Sequence, residues 1–181
     1  MTDTLDRKTT APTDAGAKKT RRQNAEKGFV ASKELTDSMQ AVLVDLIELH
    51  LQGKQAHWNI VGKNFRDLHL QLDEIIDAAR EFSDEVAERL RALHAVPDGR
   101  SDTVSGSTTL PEFPHGEIDT TEAVDLIVQR LEATVGTMRE VHDTIDEADP
   151  TSADILHGII EKLEQYAWMV GAENRVAKRT T

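Results

Sequence analysis

Apolar residues return at helical spacing in four long stretches, with polar residues filling the positions between them. Leu35, Met39, Val42, Leu43, Leu46, Ile47, Leu49 and His50 follow a period near 3.6 and predict a first helix over about 32–60. Ser32 offers a start and Gly62 a stop. Leu68, Leu72, Ile75, Ile76, Ala79, Phe82, Val86 and Leu90 predict a second helix over about 64–93. Val124, Ile127, Val128, Leu131, Val135, Met138, Val141 and Ile145 predict a third over about 120–148, capped by Thr120 or Thr121. A fourth starts after Asp149-Pro150-Thr151 and runs to about 176, with Ile155, Ile159, Leu163, Tyr166, Met169 and Val170 as its buried face. Between the second and third, residues 95–120 are broken by Pro97, Gly99, Gly106, Pro111, Pro114 and Gly116. So long a connection is uncommon in a compact domain, but a four-helix bundle with one long crossover needs it. The fold class is therefore all-α: a bundle over 31–177, a polar tail over 1–30 and a short C-terminal tail over 178–181.

The informative chemistry lies at the end of the first helix and along the second. His57 precedes Gly62, His69 and Asp73 stand four apart, and so do Asp84 and Glu88. Positions i and i+4 share a helix face. Asp73 and Asp84 share a face too, but the helical rise separates them by roughly 16 Å. One metal, or two metals about 4 Å apart, cannot be held by both within one chain. If these residues make one site, His57, His69 and Asp73 come from one chain and Asp84 and Glu88 from another. An antiparallel two-fold pair of identical subunits does this and makes two equivalent sites. Imidazole and carboxylate together suit iron, zinc or manganese. The plainer reading is an acidic helix with a solvated face and a histidine packed beside Trp58. His50 shares the face of His57 and reads as a packed histidine.

Charge narrows the function classes. Asp and Glu outnumber Lys and Arg 33 to 21, giving a formal net charge of -12. That argues against general affinity for DNA or anionic membranes. It suits a protein working in high salt, as in a halophile, or a container that attracts metal cations. There is no cysteine, so neither disulfides nor thiolate ligands arise. No apolar run approaches a membrane span. Arg21-Arg22 lacks the apolar segment of an export signal, so a cytoplasmic protein is expected. Lys18, Lys19, Arg21, Arg22 and Lys27 make the N-terminal tail locally basic. This is the sole support for the alternative reading, a nucleoid DNA-binding structural protein. A short basic tail on an acidic body in high salt holds DNA poorly.

The run His57-Trp58-Asn59, Gly62, Phe65, Leu68-His69, Asp73, followed by Asp84, Glu88-Arg89, resembles the signature of the Dps-type miniferritins of the ferritin-like superfamily. Further similarity lies in residues 151–156 and in Trp168. The resemblance covers about residues 30–175 and is most specific in the central run. It implies a ferritin-like bundle whose crossover carries a short helix near 100–106, and a hollow homododecamer. It implies a ferroxidase site at the two-fold interface, with Fe(II) as substrate, hydrogen peroxide as preferred oxidant and ferric oxide stored inside. That chemistry protects DNA from oxidative damage without touching it. The site residues it implies are His57, His69, Asp73, Asp84 and Glu88.

Two further groups follow on that reading. Asp146, Asp149, Asp154 and His157 sit at the junction of the third and fourth helices. In the family this junction lines three-fold pores through which iron is admitted; capping of a helix start is the other use of such acids. Glu74, Asp77 and Glu81 form an acidic stripe that could nucleate ferric oxide on a cavity wall. The intra-bundle di-iron site of larger ferritins uses Glu-x-x-His pairs on helices. The one such pair here, Glu112 to His115, contains Pro114 and falls in the crossover.

Overall fold

The computed structural model describes residues 28–179. Most of the expected tail over 1–30, with its basic cluster, and residues 180 and 181 of the C-terminal tail lie outside the described residues. Helix α1 spans Lys33–Asn59, strand β1 Ile60–Val61, α2 Phe65–Ala92, α3 Ser101–Ser107, strand β2 Ile118–Asp119, α4 Thr120–Ala148 and α5 Pro150–Gly171. A single 3-10 turn, Ala172–Asn174, follows α5. The four long helices form the expected bundle, with α1 against α2 and α4, α5 against α4, and α2 touching α5. The short helix implied for the crossover is α3.

The predicted apolar stripes form one core. Leu35, Met39, Leu46, Leu72, Ile127, Leu131 and Met138 are fully buried. Burying side chains of this size contributes roughly 1.5–3 kcal/mol each before entropy is charged against it. The helix ends differ from expectation in two places. Asp119 caps α4 by accepting from the Thr121 backbone N–H at 2.9 Å; Thr120 instead donates to the Lys63 carbonyl at 2.7 Å. Helix α5 ends at Gly171 rather than near 176. Asn174 donates to the Thr121 carbonyl and the Asp125 carboxylate, at 2.9 and 2.8 Å, and so turns the chain back onto α4. Met169 is 41% exposed, while Leu156 and Ile160 are buried. The buried face of α5 is wider than expected, taking in Leu156 and Ile160 beside Ile159, Leu163, Tyr166 and Val170, and the helix packs against α2 as well as α4.

Two buried polar residues pin the crossover. The Asp45 carboxylate accepts from the hydroxyls of Thr108, Thr109 and Thr137 at 2.6–2.8 Å and from the Thr109 N–H at 2.8 Å. Arg130 donates to Gln52 at 2.7 Å and to the Glu112 carbonyl at 2.8 Å, and lies over the Phe113 ring. A buried charge is tolerable only when its hydrogen-bonding capacity is met in this way.

One end of the bundle is built by a tight reversal. Helix α1 leads into β1, which pairs in parallel with β2, Ile60 opposite Ile118. Gly62 follows with φ +126°, and Asn64 with φ 58° begins α2. A Cβ on Gly62 would stand 2.9 Å from Thr120 Oγ1 and 3.0 Å from Asp119 Oδ2. Gly62→Ala is therefore expected to destabilise by roughly 1–3 kcal/mol, read as a lower urea midpoint with unchanged slope. An unchanged midpoint would show that the turn tolerates a side chain.

Candidate metal centre

The reversal places the last turn of α1 against the first turns of α2. His57 and His69 stack, ring centroids 3.6 Å apart at 26°. His69 Nδ1 lies 3.1 Å from the His57 carbonyl. A carbonyl only accepts, so Nδ1 carries the proton and Nε2 is left with its lone pair. That carbonyl belongs to the final turn of α1, where carbonyls lack helical partners. Asp73, one turn along α2 from His69, brings Oδ1 to 3.0 Å from His57 Nε2. One ligand atom each from His57, His69 and Asp73 lies within 4.8 Å of the others. Among the described residues this is the one such group of three or more His, Asp and Glu side chains.

His57 is buried, and neither of its ring nitrogens has a directed hydrogen bond. The 3.0 Å approach to Asp73 is an ion-pair distance without hydrogen-bond alignment. A buried imidazole left in that state is costly and is the pattern expected of a residue that coordinates a cation. The donor set of two imidazoles and a carboxylate fits iron, zinc or manganese. Lys54 complicates the picture: its ammonium lies 2.8 Å from Asp73 Oδ1. That hydrogen bond is the largest influence on Asp73; burial opposes it, His57 adds to it, and the carboxyl is held below its ordinary value. A metal ion arriving at Asp73 competes with this ammonium. Lys54 stands three residues before His57 on the same face of α1.

Asp84 and Glu88 do not join this group. Helix α2 is unbroken through both segments, so the rise of roughly 16 Å between Asp73 and Asp84 stands. Both acids are exposed. Asp84 borders a groove between α1, α2 and the crossover, together with Asp77 and Glu81. Glu74, Asp77 and Glu81 are all exposed along α2. His50 is partly buried rather than in the core; burial and the charges of Arg80 and Lys54 lower its pKa, and Asp77 opposes them. Trp58 is 68% exposed, and Val61, Phe65 and Leu70 are exposed around the same turn.

At the α4–α5 junction the candidates separate. Asp146, Asp154 and His157 are exposed, whereas Asp149 is buried. Arg89 and the Ser152 hydroxyl donate to its carboxylate, tying α2 to the start of α5. Asp149 thus holds the fold, and the accessible acids there are Asp146 and Asp154. Glu112 and His115 lie in the irregular crossover, where they cannot form a helical pair. A contact between His142 and His157 also forms at this junction, and no spacing in the sequence marks it.

A ferritin-like domain model matches residues 36–179. DNA protection during starvation protein 2 of Deinococcus radiodurans is 31% identical over 77% of this chain and 58% of its own length. The chain therefore spans somewhat over half of that relative. DNA protection during starvation protein of Mycolicibacterium smegmatis is 30% identical over 78% of this chain and 77% of its own. The structure of Dps from Microbacterium arborescens in the high iron form superposes with a TM-score of 0.74, at 29% identity, covering 81% of this chain and 98% of that one. No helix among the described residues is long and apolar enough to cross a membrane.

Burial raises the Asp149 carboxyl, but hydrogen bonds from Ser152 and Arg89 and the Arg89 charge outweigh it and hold the pKa below its usual value. A depressed carboxyl adds stability above its unfolded pKa of about 3.9 and loses it as pH falls through the folded one. Asp149→Asn is expected to lower the urea midpoint at pH 7 and to make less difference near pH 3. An equal loss at both pH values would contradict this.

Proposed function

The chain belongs to the Dps branch of the ferritin-like family, and on that premise we propose that it oxidises Fe(II) and stores the ferric product inside a shell of identical subunits. The single observation that carries this reading is the His57–His69–Asp73 cluster, with His57 buried and neither of its nitrogens in an aligned hydrogen bond. Fe(II) is the substrate. Imidazole binds a metal through the lone pair of its neutral form, and the carboxylates favour Fe(III) over Fe(II) by charge.

The proposed site is completed across a two-fold interface. Asp84 and Glu88 of a second subunit approach His57, His69 and Asp73 of the first, since one chain cannot bring all five together. The exposed Trp58, Val61, Phe65 and Leu70 support a partner covering this face, because apolar and aromatic side chains mark buried interface centres. Trp58 serves there as packing. Hydrogen peroxide is the proposed oxidant: it takes one electron from each of two Fe(II) ions, its O–O bond breaks, and both oxygens leave as water or hydroxide. Removing peroxide and Fe(II) together deprives hydroxyl-radical chemistry of both reagents, which protects DNA without binding it.

Twelve subunits are the proposed assembly. Asp146, Asp154 and His157 are the proposed iron inlet, where symmetry-related carboxylates would focus negative potential. Glu74, Asp77 and Glu81 are the proposed nucleation surface. Asp84→Ala combined with Glu88→Ala should abolish fast Fe(II) oxidation, followed by ferric absorbance after peroxide addition, while far-UV circular dichroism stays unchanged. Undiminished oxidation in that variant would reject the assigned site.

A further inference from the structure

His142 of α4 and His157 of α5 form a second histidine pair, and it lies far from the first. Thr120 touches the α1–α2 turn, and α4 runs on from there to His142, roughly 33 Å at the helical rise. The two Nε2 atoms approach to 2.8 Å, with ring centroids 4.9 Å apart at 32°. A carboxylate stands behind each ring. Asp143 Oδ1 is 3.1 Å from His142 Nδ1, and Asp154 Oδ1 is 3.5 Å from His157 Nδ1. Asp143 only accepts, so His142 Nδ1 holds its proton and its Nε2 turns a lone pair towards His157, which donates its own Nε2–H across that 2.8 Å contact. A cation that takes the place of that single proton meets two converging ring nitrogens, and His157 then carries its proton on Nδ1, facing Asp154.

Imidazoles that give Nδ1–H to a carboxylate and aim Nε2 at a common point are the arrangement by which proteins orient histidine ligands for a transition metal. Tetrahedral bonds of about 2.0–2.1 Å put two ligand nitrogens roughly 3.3 Å apart, which a small rotation of these rings supplies. Glu161, Glu164 and Arg139 line the same groove. Arg139 is paired with Glu164, which offsets its charge against an incoming cation. Glu161 lies one turn beyond His157 and is exposed, so it and water can fill the remaining positions.

We propose that His142 and His157 form a second binding site for a borderline divalent transition metal, Zn(II) or Fe(II), oriented by Asp143 and Asp154 and separate from the His57 cluster. The inference does not depend on iron oxidation, and Zn(II), which undergoes no redox change, tests it. The metal-stripped full chain is titrated with Zn(II) by calorimetry. Wild type should show two classes of site. His142→Gln with His157→Gln should lose one class and keep the other; His57→Gln with His69→Gln should do the reverse. Asp143→Asn with Asp154→Asn should weaken the second class about 10–100-fold, with unchanged circular dichroism. An unaltered Zn(II) stoichiometry in the His142 and His157 variant would overturn the proposal and leave the pair sharing a proton alone.

Discussion

The stacking of His57 on His69 depends on how abruptly the chain reverses between α1 and α2. The reversal needs a residue at Gly62 that can take a left-handed conformation against Thr120 and Asp119. It also needs the β1–β2 pairing, which fixes the direction of α1's exit against the start of α4. Once these hold, the carbonyl of His57 meets His69 Nδ1, and the tautomer of His69 is set by the backbone itself. The chemistry of the site therefore rests on a turn geometry more than on the packing of the core. The core supplies rigidity: α1 and α2 cannot slide past one another without exposing residues such as Leu46, Leu72 and Ile75.

Buried charge serves a different purpose in this chain. Asp45 and Arg130 are spent on the long crossover, and Asp149 with Arg89 on the start of α5. Each tethers irregular backbone to a helix, where apolar contact alone would leave register undefined. Buried nitrogen without an aligned hydrogen bond, by contrast, occurs at His57. This contrast between satisfied and unsatisfied buried polar groups separates the residues that hold the fold from those available for chemistry.

The four helices were legible because their apolar positions repeat at the helical period over many turns. The spacing of His57, His69 and Asp73 was legible for the same reason, and the distance between Asp73 and Asp84 follows from helix geometry alone. What was not legible depended on contacts across the bundle. Asp149 reads as an exposed acid in sequence, but Arg89, sixty residues away, claims it. Met169 lies on the expected stripe of α5, yet it is exposed in the folded chain while Leu156 and Ile160 are buried. Lys54 and the His142–His157 contact carry no period of their own. Only the folded chain brings Lys54 to Asp73, or the end of α4 to the start of α5.

On the proposed function, one assembly both oxidises Fe(II) and retains the product. The direct measurement is to add Fe(II) and then peroxide to the pure protein in high salt, and to follow iron and protein together by size-exclusion chromatography. Soluble ferric iron eluting with a particle of about twelve subunits is the predicted result. Precipitated iron beside a small protein species would contradict it, and would reduce the His57 cluster to a simple metal-binding site.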